Sequence, residues 1–207
     1  MQHVNAVCSV ALWRNSTPCT FIVYATFERN VMPAHEEIER TWLMNMTKVR
    51  GYIDLNAVPG DAIEQGYITP TTLEDPLRTT YRLRKRADAY YFTWKHGGTT
   101  VRMEYEVQLT KEQFQAMWGM VGKQFLKKTR YKLHFHDDRN PHMMEGWWLE
   151  LDVFAGDHAG LVLAEVEFCS EEDAKKFVAP PWFGIDVTED SRYSNYSLAI
   201  NGLPENE

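Results

Sequence analysis

Carboxylates recur at i and i+2 in four segments of this chain: Glu37 and Glu39, Glu104 and Glu106, Glu150 and Asp152, Glu165 and Glu167. On a β-strand alternate side chains point to one side, so each pair shares a face. In Val162-Leu163-Ala164-Glu165-Val166-Glu167-Phe168 the even positions are apolar and both glutamates occupy the other face. One such strand is ordinary for an antiparallel sheet with its polar side in water. Here the bases are sorted as well. Arg82, Arg84 and Arg86 share a face, as do Lys128, Arg130 and Lys132. Lys95 lies opposite Phe92 and Trp94, and Arg102 is in phase with Glu104 and Glu106. Aligned carboxylates repel one another, and a divalent cation relieves that repulsion through hard oxygen ligands. Guanidinium and ammonium groups on neighbouring strands bind phosphate oxygens. The combination is the chemistry of a polyphosphate carried with metal ions.

Strands must position these groups. Alternation runs over residues 35–45, 64–69, 79–86, 89–96, 100–109, 128–135, 147–155 and 161–168. Eight short strands with turn chemistry between them predict an antiparallel barrel or sandwich. Lys85-Arg86-Ala87-Asp88-Ala89 and His96-Gly97-Gly98 read as hairpin turns, and residues 134–146 as a longer polar loop. Two helices interrupt the strands. Thr110 caps the first, with Gln113 at the capping-box position and Phe114, Met117, Trp118 and Val121 as its apolar stripe. Ser170 caps the second, with Glu171, Glu172 and Asp173 in its first turn and Ala174 and Phe177 facing inward. Helices laid on an apolar outer face leave the charged face inside, as in barrels with a solvated lumen. The expected fold is therefore α+β, predominantly β: an eight-stranded antiparallel β-barrel tunnel with a charged lumen and flanking helices. Trp42, Trp94, Trp118 and Trp147 read as core, Arg40 as exterior, and Trp182 with Phe183 as a plug in one end.

The 207 residues suffice for one domain with a substantial core. A 44% hydrophobic and 13% aromatic content excludes a disordered chain, and a net charge of −7 argues against a general nucleic-acid binder, whose footprint is basic. No apolar run approaches the ~18 residues of a membrane span. Cys8, Cys19 and Cys169 are an odd number without CxxC spacing, which speaks for a reducing, cytoplasmic setting and against a disulfide framework or zinc site. Residues 1–34 read as an N-terminal extension, too polar and too poor in leading positive charge for a secretory signal, with a strand at 20–24. It is expected to be either a disordered appendage or a start-site artefact ahead of Met32. Residues 35–203 form the one domain, with no linker or internal repeat.

Several blocks then occur in a telling order: Glu37-Ile38-Glu39-Arg40, Gln65-Gly66-Tyr67-Ile68, Arg82-Leu83-Arg84, Arg102-Met103-Glu104-Tyr105-Glu106, Lys128-Thr129-Arg130-Tyr131, Glu150-Leu151-Asp152-Val153-Phe154 and Ala164-Glu165-Val166-Glu167-Phe168. They are followed by Trp182-Phe183-Gly184-Ile185-Asp186-Val187-Thr188 and Arg192-Tyr193-Ser194-Asn195. Over about Glu36 to Ala199 the chain resembles a CYTH-domain protein of the triphosphate tunnel metalloenzyme superfamily. The resemblance implies an eight-stranded charged tunnel that cleaves or cyclises triphosphates with Mg²⁺ or Mn²⁺, two ions per site. It implies Glu37, Glu39, Asp152, Glu165 and Glu167 as metal ligands. It makes Arg82, Arg84, Lys95, Arg102, Lys128 and Arg130 the phosphate contacts, with Lys128, Arg130 and Glu39 at the chemistry. Glu104, Glu106, Glu150 and Arg192 are implied in support. One position departs: the family's ExExK lysine falls at residue 41, which is Thr41.

The leading expectation is a metal-dependent phosphohydrolase that takes a small-molecule triphosphate, inorganic tripolyphosphate first, and releases orthophosphate. No nucleic-acid or membrane partner is expected, and the protein would be a monomer or homodimer. Two rivals stand beside it: a class IV-type adenylyl cyclase or thiamine triphosphatase using the same tunnel, and a catalytically weak triphosphate- or polyphosphate-binding module, suggested by Thr41. His134, His136, Asp137 and His142 match no zinc spacing and read as a solvated loop. No GxSxG motif supports a serine nucleophile.

Overall fold

A computed structural model describes residues 9–14, 17–22, 35–69, 79–97, 101–136, 138–140 and 146–205. In chain order these contain β1 (Ser9–Arg14), β2 (Thr17–Ile22), β3 (His35–Leu43), α1 (Met46–Tyr52), β4 (Gly60–Ile68), β5 (Thr79–Arg86), β6 (Ala89–Gly97), β7 (Val101–Leu109), α2 (Lys111–Trp118), β8 (Phe125–Phe135), β9 (Trp147–Ala155), β10 (Val162–Glu167), α3 (Glu171–Lys176), β11 (Ile185–Asp186) and α4 (Asn195–Asn201). No helix among them is long and apolar enough to cross a membrane. β1 and β2 pair with each other from Ser9↔Ile22 to Arg14↔Thr17. The strand expected at 20–24 thus begins earlier, and residues 23 and 24 lie outside the described residues.

The remaining strands form one antiparallel sheet in the order β10-β9-β8-β4-β5-β6-β7-β3-β11, and β10 also pairs with β3. That ladder, from Leu163↔Leu43 to Glu167↔Glu39, carries the pairing from β3 round to β10 and back. β3 supplies both sides of the join: its first half pairs with β7, its second half with β10. β11 continues the β7 edge at Trp42 and Leu43. The closeness of this junction demands Gly184, where a Cβ would lie 1.8 Å from the Leu43 carbonyl oxygen. β4 and β8 begin earlier than their side chains predict, at Gly60 and Phe125, because each continues the other's backbone ladder (Gly60↔Tyr131 to Gly66↔Phe125).

Both expected helices form with the expected caps. Gln113 N donates to Thr110 Oγ1 at 3.2 Å, and Thr110 N donates to Gln113 Oε1 at 2.8 Å, closing the capping box. Ser170 accepts from Asp173 N at 3.1 Å at the start of α3. The β5–β6 turn puts Ala87 at φ 51°, a left-handed residue as two-residue hairpins require.

Alternation sends apolar residues outward to two packed layers. Ile38, Trp42, Leu149, Leu151, Ala164 and Val166 meet α1, α3 and the stretch that follows α3. Leu83 meets Phe114 and Val121 beneath α2. Trp182 and Phe183 belong to the first layer, with Phe183 edge-on to Trp42 at 5.1 Å, and they do not plug the barrel. The plug is made by other residues. At one end the inward positions turn apolar (Leu126, Phe154, Leu163), and α4 brings Leu198 and Ala199 against them. His158, itself buried, contacts the Leu198 carbonyl at 2.7 Å through Nε2 and ties α4 to this end.

Candidate active site

Between the plug and the opposite mouth lies a cavity of about 320 Å³. Its depth is graded along two neighbouring strands. On β8, Leu126 belongs to the plug, Lys128 is buried and Lys132 is half exposed; on β9, Phe154 belongs to the plug, Asp152 is buried and Trp148 is half exposed at the mouth.

The deepest cluster is Lys128, Arg130 and Asp152. Arg130 holds Asp152 with a two-pronged contact, Nε to Oδ1 at 2.7 Å and Nη2 to Oδ2 at 2.5 Å. The same Nη2 reaches Glu165 at 2.5 Å, and Nη1 bonds Glu150. Lys128 Nζ donates to Asp152 Oδ2 at 2.5 Å and to Asn195 Oδ1 at 3.0 Å. Burial, reinforced by repulsion from Arg130 and opposed by Asp152, pushes the Lys128 ammonium down to about 8. Burial alone would raise the Asp152 and Glu150 carboxyls. Arg130 leads the cations that hold both below the usual range, with Lys128 at Asp152 and Lys132 at Glu150.

A second cluster joins β5, β6 and β7. Arg82 Nη2 donates to the buried Thr93 hydroxyl at 3.0 Å and lies 3.4 and 3.3 Å from Glu104 and Glu106. Arg84 Nη2 donates to Glu106 at 2.8 Å, and Thr93 donates to the same carboxylate at 2.7 Å. Lys95 pairs with Glu104 at 2.6 Å. Burial and the adjoining Arg82 lower the Arg84 guanidinium to about 10, so two cations are held side by side out of water. Arg84 Nε is buried and has no hydrogen-bond partner among the described residues.

On β3 and β10 the lumen face is acidic. Glu39 and Glu167 are directly opposite in the ladder, and Glu165 lies opposite Thr41. Like charges so placed repel each other. No three carboxylate, imidazole or thiol groups among the described residues converge into a ready ion cage. The donors nevertheless fit a hard divalent ion, because Mg²⁺ commonly takes one or two carboxylates and completes its shell with water and phosphate oxygens.

Of the residues singled out in the sequence, the lumen brings together Glu39, Arg82, Arg84, Lys95, Glu104, Lys128, Arg130, Glu150 and Glu165 with Glu167. Asp152 sits behind Lys128 and Arg130, and Glu106 behind Arg82 and Arg84. Glu37 and Arg102 are register partners in the β3–β7 ladder, and their side chains lie outside the described residues. Arg192 is not brought in: it pairs with Asp190 at 2.8 Å beside an outer groove. Arg40 is outside as expected, bound to Asp186 at 2.5 Å and to the carbonyls of Ala174 in α3 and Phe177 just after it. Thr93, Gln65, Tyr67 and Asn195 were not assigned a role. Gln65 donates to the Tyr67 hydroxyl at 2.9 Å in the lumen wall, where burial pushes the phenol up to about 12. Three of the four stand in the recurring blocks quoted above, and Thr93 has only its phase with Lys95 as a signal.

The chain is similar to an inorganic triphosphatase of Nitrosomonas europaea, with 42% identity over 165 residues, 80% of this chain and 97% of that protein. It is 35% identical to an inorganic triphosphatase of Acetivibrio thermocellus over 122 residues, 58% of this chain and 71% of that one. A solved inorganic triphosphatase structure superposes with a TM-score of 0.56 at 35% identity, covering 81% of this chain and 97% of the other. A structure from Bacillus halodurans shares the fold at 16% identity and a TM-score of 0.52, over 85% and 96% of the two chains. No family model matches.

Proposed function

The chain belongs to the CYTH-type inorganic triphosphatases, and we propose that its lumen hydrolyses inorganic tripolyphosphate with a divalent cation and releases orthophosphate. Two walls of opposite sign across one lumen carry this reading. Arg82, Arg84, Lys128 and Arg130 stand on β5 and β8, and Glu39, Glu165 and Glu167 on β3 and β10.

Phosphoryl transfer asks mainly for positioning and charge neutralisation. Arg82, Arg84 and Lys95 hold the phosphate chain, with the Arg84 Nε as a ready donor. Glu104 and Glu106 fix these cations through the bonds described, so the wall is preorganised for an anion. Lys128 and Arg130 stabilise charge on the transferred and leaving groups, and Asp152 keeps both aimed from behind. Glu39, Glu165 and Glu167 are the proposed metal ligands, and the family resemblance adds Glu37, Asp152 and, for phosphate, Arg102. A bound Mg²⁺ or Mn²⁺ supplies charge neutralisation and a more acidic water.

The test is phosphate release from tripolyphosphate, ATP, thiamine triphosphate and pyrophosphate, each with Mg²⁺, Mn²⁺ or chelator. Tripolyphosphate should be turned over fastest, and only with metal. Cyclic AMP from ATP would identify a cyclase. Tight tripolyphosphate binding without turnover would identify a binding module.

A further inference from the structure

Lys128 carries three N–H donors, and its surroundings dispose of two of them. Asp152 takes one at 2.5 Å and Asn195 Oδ1 another at 3.0 Å. The ammonium is buried, with the Phe154 ring 5.4 Å away. Asp152 cannot aim it alone, because its oxygens also hold Arg130. The second acceptor is a neutral amide. A carboxylate there would orient the lysine but cancel its charge, whereas an amide orients it and leaves the cation for phosphate. The amide also comes from a fixed support: α4 is capped by Ser194, anchored by His158 through Leu198, and packed into the plug.

We infer that Asn195 is a positioning residue for the reaction, holding the Lys128 ammonium so that its remaining donor faces the lumen. The inference rests on the triphosphatase reading above. It makes α4 part of the machinery, because the helix that closes the barrel also sets the aim of its deepest cation.

The test is a double-variant cycle on tripolyphosphate hydrolysis with wild type, Asn195→Ala, Lys128→Ala and the combined variant. Asn195→Ala should lower kcat by about tenfold, the scale of one charge-assisted hydrogen bond, with KM little changed and the melting temperature held. In the Lys128→Ala background the same substitution should do nothing further. A full effect in that background, or an unchanged kcat, overturns the inference. If alanine unfolds the tail, Asn195→Ser replaces it. A second readout is independent of turnover: the Lys128 ammonium signal in ¹H–¹⁵N spectra, assigned by its loss in Lys128→Ala. It should be sharp in the wild type and broaden in Asn195→Ala as proton exchange quickens; an unaltered signal overturns the inference. A wild type that leaves tripolyphosphate intact refutes the functional reading, and the spectrum then decides the role of Asn195 by itself.

Discussion

Thr41 and Glu165 stand directly opposite each other across the β3–β10 ladder. The Thr41 backbone is clamped by the C-terminal tail: its N–H donates to Thr188 Oγ1 at 3.0 Å, and its carbonyl accepts from Val187 N at 2.8 Å. Its side chain borders the cavity, at the position where the family resemblance implies a lysine. Thr41→Lys should therefore be accommodated and add a phosphate-facing cation. The KM for tripolyphosphate should fall by roughly tenfold, with a rise in kcat if the contact tightens in the transition state. Weaker binding by a folded variant would mean that the lumen has been rebuilt around threonine.

Glu165→Gln and Glu167→Gln should each nearly abolish turnover at limiting metal. In thermal melts, metal plus a non-hydrolysable triphosphate should raise the wild-type melting temperature more than the two ligands do separately, by linkage. Both variants should lose that excess. Near-normal turnover by both would remove the β10 glutamates from the metal site.

Arg130→Ala should be the most damaging single change in the lumen. It strips Glu150, Asp152 and Glu165 of a shared cation. Asp152 keeps Lys128 and Glu150 keeps Lys132, but Glu165, largely buried, loses its cation, and removing one partner of a buried ion pair costs about 3–5 kcal/mol. Denaturant unfolding should register that loss in the absence of ligand, with kcat/KM reduced by tenfold or more, on the order of one charged contact. A variant as stable as the wild type would show that Glu165 does not depend on Arg130 for its place in the fold.

Acid should weaken the β5–β7 cluster in a predictable window. Burial alone would raise the Glu106 carboxyl, but Arg84, Thr93 and Arg82 outweigh burial and hold it below the ordinary value. A carboxylate depressed in the folded state contributes stability above its unfolded value, about 4.3 for glutamate. That contribution is lost as pH falls through the folded value. Urea midpoints should drop as pH goes from about 5 to 3, and Glu106→Gln should flatten part of the slope. An equally steep slope in the variant would assign the acid sensitivity elsewhere.

Charge alternation was legible because the lumen inverts the usual polarity. Glu165 and Glu167 could be placed on one face without knowing any partner, and the apolar positions between them did pack outward. Hydrophobicity says that a residue is buried, not on which side of a barrel. Trp182 and Phe183 looked like a plug, yet they cover the outside, while Leu126, Phe154 and Leu163 fill the inside in the same phase as Lys128, Asp152 and Glu165. α1 and α4 were missed because each spans only seven residues, too few for a periodic stripe, and is announced by little beyond its cap, Asn45 or Ser194. The block from Arg192 to Asn195 does not act as a unit, because the chain turns within it: Asn195 reaches Lys128, and Arg192 pairs with Asp190.

The apolar plug has a consequence for polymer chemistry. A lumen blocked behind Lys128 cannot be threaded, so a linear polyphosphate can present only its tip to the deepest cations. Internal phosphoanhydrides of a longer chain remain in the outer part of the channel or in bulk water, beyond the reach of Lys128. A linear anion that enters past Trp148 would therefore meet Lys128 with its leading end and leave by the way it came.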